Sequence, residues 1–371
     1  MKRLIFVVLC IALSSTNACN PTPTTVVGTH APSTFCSGDL IFQETFDTFD
    51  VNKWQHGVTM SGLGNYQFNW IVNDRNNSYV NNGNLHIRPT LTDDKFGENF
   101  VTSGTVEIPE SECTDANNWG CKKTGTPSNP IPPIRSARIN TFNSFGFKYG
   151  TLEIRAKGPT GDWIGSSLWL LPIEKIYGGW PASGEIDLME MKGNTDYWDP
   201  AKDNKHVGVE HMGSTLHFGP SSVHDGWASA TYSKNQHPGF DDDFHVYKLV
   251  WTKEFFQFYV DGIHLGSVTP GPGGFWARGG FGWTGLPNPW ANATIMAPFD
   301  NEFGIILSLG VGGNAVFRDS YVNGNGAKPW VNNSGRSMAD FWIGKSQWLP
   351  RWRMDTDHSH LQVDYVRVWA L

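Results

Sequence analysis

Three carboxylates, Glu185, Asp187 and Glu190, fall within the run Trp180-Pro-Ala-Ser-Gly-Glu-Ile-Asp-Leu-Met-Glu190, whose pattern is otherwise that of a strand. Side chains alternate between the two faces of a strand, so Glu185 and Asp187 point one way and Glu190 would point the other. One extra residue at Leu188-Met189, a β-bulge, sets two residues against one on the partner strand and returns Glu190 to the face of the other two. Ile186 and one of Leu188 and Met189 then face the core. On this reading the α-carbons of Glu185 and Glu190 stand roughly 13 Å apart, and two glutamates leaning together close most of that gap.

Carboxyls about 5–5.5 Å apart suit double displacement at a glycosidic carbon, whereas single displacement needs about 6.5–9.5 Å to admit a water. The row therefore predicts retention. Asp187 lies between the glutamates, where a third carboxyl holds a shared proton and pushes their pKa values apart. A solvated edge strand also carries Glu-x-Asp. The flanks Gly178-Gly-Trp-Pro181 and Met191-Lys-Gly-Asn194, and the interruption of an apolar run, argue against that reading here.

The elements that must hold this row are strands. From Asp39 onward, alternating runs are bounded by Gly, Asn or Pro: Leu85-His-Ile-Arg-Pro, Gly150-Thr-Leu-Glu-Ile-Arg-Ala, Phe244-His-Val-Tyr-Lys-Leu-Val-Trp, Phe256-Gln-Phe-Tyr-Val before an Asp261-Gly262 turn, and Gln362-Val-Asp-Tyr-Val-Arg-Val-Trp. Long helical periodicities are few, so the fold class is all-β. The absence of any linker predicts one large β-sandwich over 39–371.

Ahead of it, residues 1–18 read as a secretory signal, with Lys2 and Arg3, an apolar run Leu4–Leu13 too short to span a bilayer, and Ala18 before the cut. Residues 19–38 are a Pro/Thr-rich, extended lead-in. Discounting Cys10 in the signal leaves Cys19, Cys36, Cys113 and Cys121, an even set suited to an oxidising compartment. Of three connectivities the local one is expected, Cys19–Cys36 and Cys113–Cys121. The protein is expected outside the cell, as a monomer. The sequons at Asn76, Asn292 and Asn332 are then open to glycosylation.

A net charge of −7 without a basic patch argues against nucleic acid or a membrane surface as partner. A neutral polymer fits better, because tryptophan faces stack on sugar rings and the chain has 17 tryptophans. Most belong to the core. Trp180, Trp163 and Trp290 sit in Gly/Pro-rich loops and are the expected sugar platforms.

The chain resembles glycoside hydrolase family 16, in its laminarinase-like branch with the animal β-1,3-glucanases and β-1,3-glucan-binding proteins. The motifs carrying the resemblance run in order: Phe42-Gln-Glu-Thr-Phe-Asp, Ser136-Ala-Arg-Ile-Asn-Thr, Phe147-Lys-Tyr-Gly-Thr-Leu-Glu-Ile-Arg-Ala-Lys, the bulged Glu185-x-Asp-x-x-Glu190, Ser214-Thr-Leu-His-Phe-Gly-Pro and Leu361-Gln-Val-Asp-Tyr-Val-Arg-Val-Trp. The resemblance implies a concanavalin-like jelly roll of two curved antiparallel sheets, with a sugar cleft on the concave one. It implies Glu185 as nucleophile, Asp187 as its helper and Glu190 as acid/base. It also implies cleft positions for His217, Arg138 and Asn77; on its own, His217 reads as a core histidine.

No cofactor is implied for the chemistry. A structural calcium is, with Asp364 on the final strand as an oxygen ligand. His358-Ser-His360 with Asp355 and Asp357 has metal-binding residue types but reads as a solvated loop. Two departures from the branch, Gly165-Ser-Ser167 and Leu307-Ser-Leu309, remove a stacking platform or open the cleft.

The expected function is a secreted, retaining endo-β-1,3-glucanase. The alternatives are a β-1,3-glucan recognition protein without hydrolysis, or a hydrolase of mixed-linkage β-1,3-1,4-glucan or another polysaccharide taken by the family. Binding-only relatives usually lose a catalytic glutamate, and both are present here.

Overall fold

The computed structural model describes residues 19–371, so the segment read as a signal lies outside the described residues. Two antiparallel sheets make the sandwich. One has nine strands, running Thr25–Val27, Gly146–Lys148, Phe303–Val311, Ile164–Pro172, Glu185–Lys192, His211–His217 and Thr231–Asn235, with Arg138–Asn140 and Gln55–His56 attached beside Phe303–Val311. The other has eight, running Ile263–Val268, Phe256–Val260, His245–Trp251, Gly150–Lys157, Leu361–Trp369, Asn84–Ile87 and Ser78–Asn81, with Leu40–Glu44 against Leu361–Trp369.

Alternation in the sequence becomes two-sidedness in space. Along Gly150–Lys157 and Ile164–Pro172 every second residue is buried. Leu152, Ile154 and Ala156 from one sheet, and Leu168, Leu170 and Ile186 from the other, are fully enclosed in one core. Each such leucine or isoleucine removed from water stabilises the fold by about 1.5–3 kcal/mol. The Asp261-Gly262 turn joins its two strands with φ of 49° and 75°, the left-handed pair that a tight hairpin of this twist needs.

The Pro/Thr-rich lead-in is more than an extended tail. Thr25–Val27 pairs with Gly146–Lys148 at a sheet edge, and Thr24 Oγ1 accepts a hydrogen bond from the Leu371 N–H. Both disulfides join in the local pattern, Cys19–Cys36 and Cys113–Cys121. Helices are short, none exceeding the seven residues of Ser337–Ile343 among the described residues. No helix there is long and apolar enough to cross a membrane.

Candidate active site

The carboxylate strand Glu185–Lys192 lies inside the nine-stranded sheet, between Ile164–Pro172 and His211–His217. Gly184, with φ of 85°, turns the chain into it. A Cβ there would come within 2.9 Å of Phe299, so both conformation and space call for glycine.

The bulge is present. Against His211–His217, Asp187 faces Thr215 and Glu190 faces Gly213. Against Ile164–Pro172, Asp187 faces Trp169 and Met189 faces Leu168, which leaves Leu188 as the extra residue. Ser214 Oγ donates to the Leu188 carbonyl at 2.7 Å, satisfying a group that the broken ladder would strand. Both Leu188 and Met189 are buried, where one of the pair was expected inward; the bulge tucks its whole apolar segment inside.

Glu185 Oε2 accepts from Trp180 Nε1 at 2.9 Å. Asp187 Oδ2 lies 3.2 Å from His217 Nε2, a charge contact poorly aligned for a hydrogen bond. On the other side of that ring, His217 Nδ1 is 2.6 Å from Asp225 Oδ2. Asp225 is itself fixed, because its Oδ1 accepts from the Phe218 and Trp227 backbone N–H groups.

Burial alone would lower the His217 pKa, but Asp187 and Asp225 outweigh it and raise it to about 11, so the ring is an imidazolium at neutral pH. Burial also lowers Arg138, to about 10, against the pull of Glu185 and Asp115, and it stays charged.

The glutamates titrate together. Burial raises Glu190 to about 7, with Asp187 adding repulsion and His217 and Lys192 opposing it. Glu190 has surface open to the cleft, yet the surrounding walls strip enough water to disfavour its charge. Burial and Asp187 also push Glu185 well above the usual carboxylate range, with His217 and Arg138 pulling against them. The indole N–H and the guanidinium favour charge at Glu185. A proton held by the row is therefore best accommodated on Glu190.

The row sits at the meeting point of two cavities of about 610 and 510 Å³, which share Asn65, Gln67, Ser167, Trp180, Glu185 and Glu190. The first extends past Arg138 and Trp169 toward Tyr66, and the second past His217 and Trp227 toward Tyr321. Ser167 and Ser308 face each other across neighbouring strands on the floor, and Ser308 Oγ accepts from Trp169 Nε1 at 3.0 Å. Small residues thus lower the floor at the two positions where the chain departs from its branch.

Trp180, His217 and Arg138 line these cavities. Asn77 does not. It is fully buried, its Nδ2 donating to the Arg88 and Arg135 carbonyls and to Thr90 Oγ1, so it ties strands together. Trp163 is also core, packed edge-on against Tyr197, Phe317 and Trp330. Trp290 is buried beneath the loop that carries Trp180, donating from Nε1 to the Ala182 carbonyl at 2.8 Å. Loop composition misled for both, because these loops fold inward over the core.

Asp364, expected at a calcium, is paired with Arg155 at 2.5 Å and joins no cluster of three ligating side chains among the described residues. A calcium there would have to displace the guanidinium, so the residues do not fit that site.

Sequence reasoning missed Trp169 and Trp227. Trp169 shares strand parity with Ser167, which is signal enough to place it on the cleft face, and Arg138 stacks over its ring at 4.5 Å. Trp227 and Tyr66 are exposed in short 3₁₀ segments or beside them, and nothing in their spacing marks them.

Fold and motif together define a family, and the chain belongs to glycosyl hydrolases family 16, whose model matches residues 65–271. Among its relatives, the beta-1,3-glucan-binding protein of Penaeus monodon is 42% identical over 343 residues, covering 90% of both chains. Beta-1,3-glucan-binding protein 1 of Galleria mellonella is 35% identical over 92% of this chain, which spans 65% of that longer protein. In structure the chain is similar to the laminarinase of Rhodothermus marinus, with a TM-score of 0.55 and 23% identity over 90% of this chain and 98% of that one. That likeness speaks for the fold.

Proposed function

We propose that the protein is an exported, retaining endo-β-1,3-glucanase. The observation that carries this reading is the bulge at Leu188, which puts Glu185 and Glu190 on one cleft between two open arms. A cleft open at both ends admits the interior of a chain, hence endo action.

In the first step, Glu190 gives its proton to the glycosidic oxygen while a Glu185 oxygen attacks the anomeric carbon. The leaving chain takes the bond electrons and that proton, and a glycosyl ester remains on Glu185. In the second, Glu190, now ionised, takes a proton from water as its oxygen displaces the ester. Asp187, beside His217, lies next to both glutamates, and its repulsion adds to burial in holding a proton on Glu190 until the leaving oxygen needs it. The face of Trp180 and the Arg138–Trp169 stack provide platforms for sugar rings on either side.

A second reading, glucan recognition without turnover, is favoured by the names of the Penaeus monodon and Galleria mellonella relatives. Both carboxylates count against it. Export is supported by the two disulfides.

The test is reducing-sugar release from laminarin, lichenan, agarose and xyloglucan side by side. Release from laminarin first supports the proposal. Saturable laminarin binding with no release selects the recognition reading, and preference for lichenan changes the polymer.

A further inference from the structure

Far from the cleft residues, two buried histidines face each other across the eight-stranded sheet and the loop before its central strand. His86 lies on Asn84–Ile87, where Leu85 and Ile87 point into the core, so His86 projects from the outer face. It is nonetheless only 2% exposed. Tyr79 stacks on its ring at 5.1 Å, and the segment 353–360 folds over it. From that segment comes His360, 3% exposed, with its Nδ1 3.2 Å from His86 Nδ1. The reading of this loop as solvated holds for Asp355, Asp357 and His358, which are exposed, and is corrected for His360, which is enclosed.

Asp357 closes the group, with Oδ1 3.3 Å from His360 Nδ1 and Oδ2 4.0 Å from His86 Nδ1. We propose that His86, Asp357 and His360 form a zinc site that clips the 353–360 segment to the outer sheet.

Two arguments support it. A hydrogen bond between the two rings uses one proton and one lone pair, which explains a pair but not a carboxylate closing the same point. A tetrahedral ion with ligands at about 2.0–2.1 Å separates them by roughly 3.3–3.4 Å, close to two of the three distances here. The third shortens if the half-exposed Asp357 rotates.

Imidazole with carboxylate excludes calcium and magnesium as preferred ions and suits zinc, with a fourth position for water. Arg88 is the cation facing the group and works against it, while Asp357 offsets one of the incoming charges.

The experiment uses the full secreted chain, depleted by chelator dialysis and titrated with zinc chloride by calorimetry. One zinc per chain with roughly micromolar or tighter affinity is expected, together with a rise in Tm. Asp357→Ala, at a half-exposed position that the fold tolerates, should weaken binding at least tenfold. His360→Gln should weaken it further, and X-ray absorption should report two imidazoles on the ion.

Because Glu185, Asp187 and His217 also cluster, Glu185→Gln is the control, and it should bind zinc as the wild type does. No saturable binding, unchanged affinity in Asp357→Ala, or loss in Glu185→Gln alone would each overturn the proposal.

Discussion

Asp225 holds His217 from behind: its Oδ2 is 2.6 Å from Nδ1, while the opposite ring nitrogen meets Asp187 at 3.2 Å. The histidine is thus a fixed positive spacer in an acidic row. Asp225→Asn leaves the shape and removes the charge. A charge-assisted bond of this kind is worth about 1.5–3 kcal/mol, so kcat should fall roughly tenfold or more with KM nearly unchanged.

The same change should alter stability against pH. The His217 pKa is raised above 6.5 in the fold, so its contribution is fully present below about 6.5 and is lost as pH rises toward 11. In Asp225→Asn the alkaline decline in Tm should be shallower and the acidic plateau lower. Thermal melts from pH 5 to 10 check both.

Glu190→Gln should reduce turnover of laminarin by roughly 10²–10⁴-fold and abolish the alkaline limb of the rate profile near pH 7. It should also stabilise the fold. The Glu190 pKa is raised, so its ionisation penalises the native state progressively from about 4.5 to about 7 and fully above that. The variant should melt at a higher temperature than wild type at pH 8, with little difference at pH 4. An equal Tm at both pH values would contradict the burial argument.

Trp180 has two separable roles. Trp180→Phe keeps an aromatic face and loses the N–H that Glu185 accepts, so the Glu185 pKa should rise further and the acid limb should move to higher pH. Trp180→Ala should add a higher KM, since the platform goes too. Identical profiles for the two variants would mean that stacking alone matters.

Stereochemistry tests the placement of the carboxyls. Proton NMR of early laminarin hydrolysis should show the β anomer first, drifting to α by mutarotation. A 2-fluoro activated glycoside should label Glu185, located by peptide mass. Initial α product would place a water between the two groups.

Expressed in a eukaryotic secretory host, Asn76 and Asn292 should carry glycans, since both are exposed. Asn332 should stay bare. Its Oδ1 accepts from Lys328 and Trp330, and its Nδ2 donates to the Phe317 carbonyl at 2.8 Å. Glycopeptide mapping decides the matter.

Strand parity was legible in the sequence because it depends only on neighbours: it located the bulge, the hairpin at Asp261-Gly262 and the alternating core. Burial of loop residues depends on distant chain. Trp163 and Trp290 share a Gly/Pro-rich setting with Trp180, yet two of the three turn inward under an aromatic cluster assembled from residues far apart in sequence. Asn77 was misplaced for a similar reason, since its three acceptors come from three separate positions on the chain. His360 looked solvated because its cover, His86 and Tyr79, lies some 270 residues earlier.

The acidic row gives the lineage of this fold a downhill route. Glu190 accepts no hydrogen bond from another side chain among the described residues and supports no core packing, so its replacement relieves repulsion and leaves the cleft's platforms standing. An enzyme built this way can drift into a lectin through a single substitution that makes the protein sturdier. Stability therefore offers no resistance to the loss of catalysis, and only selection for cutting the polymer can hold both glutamates in place.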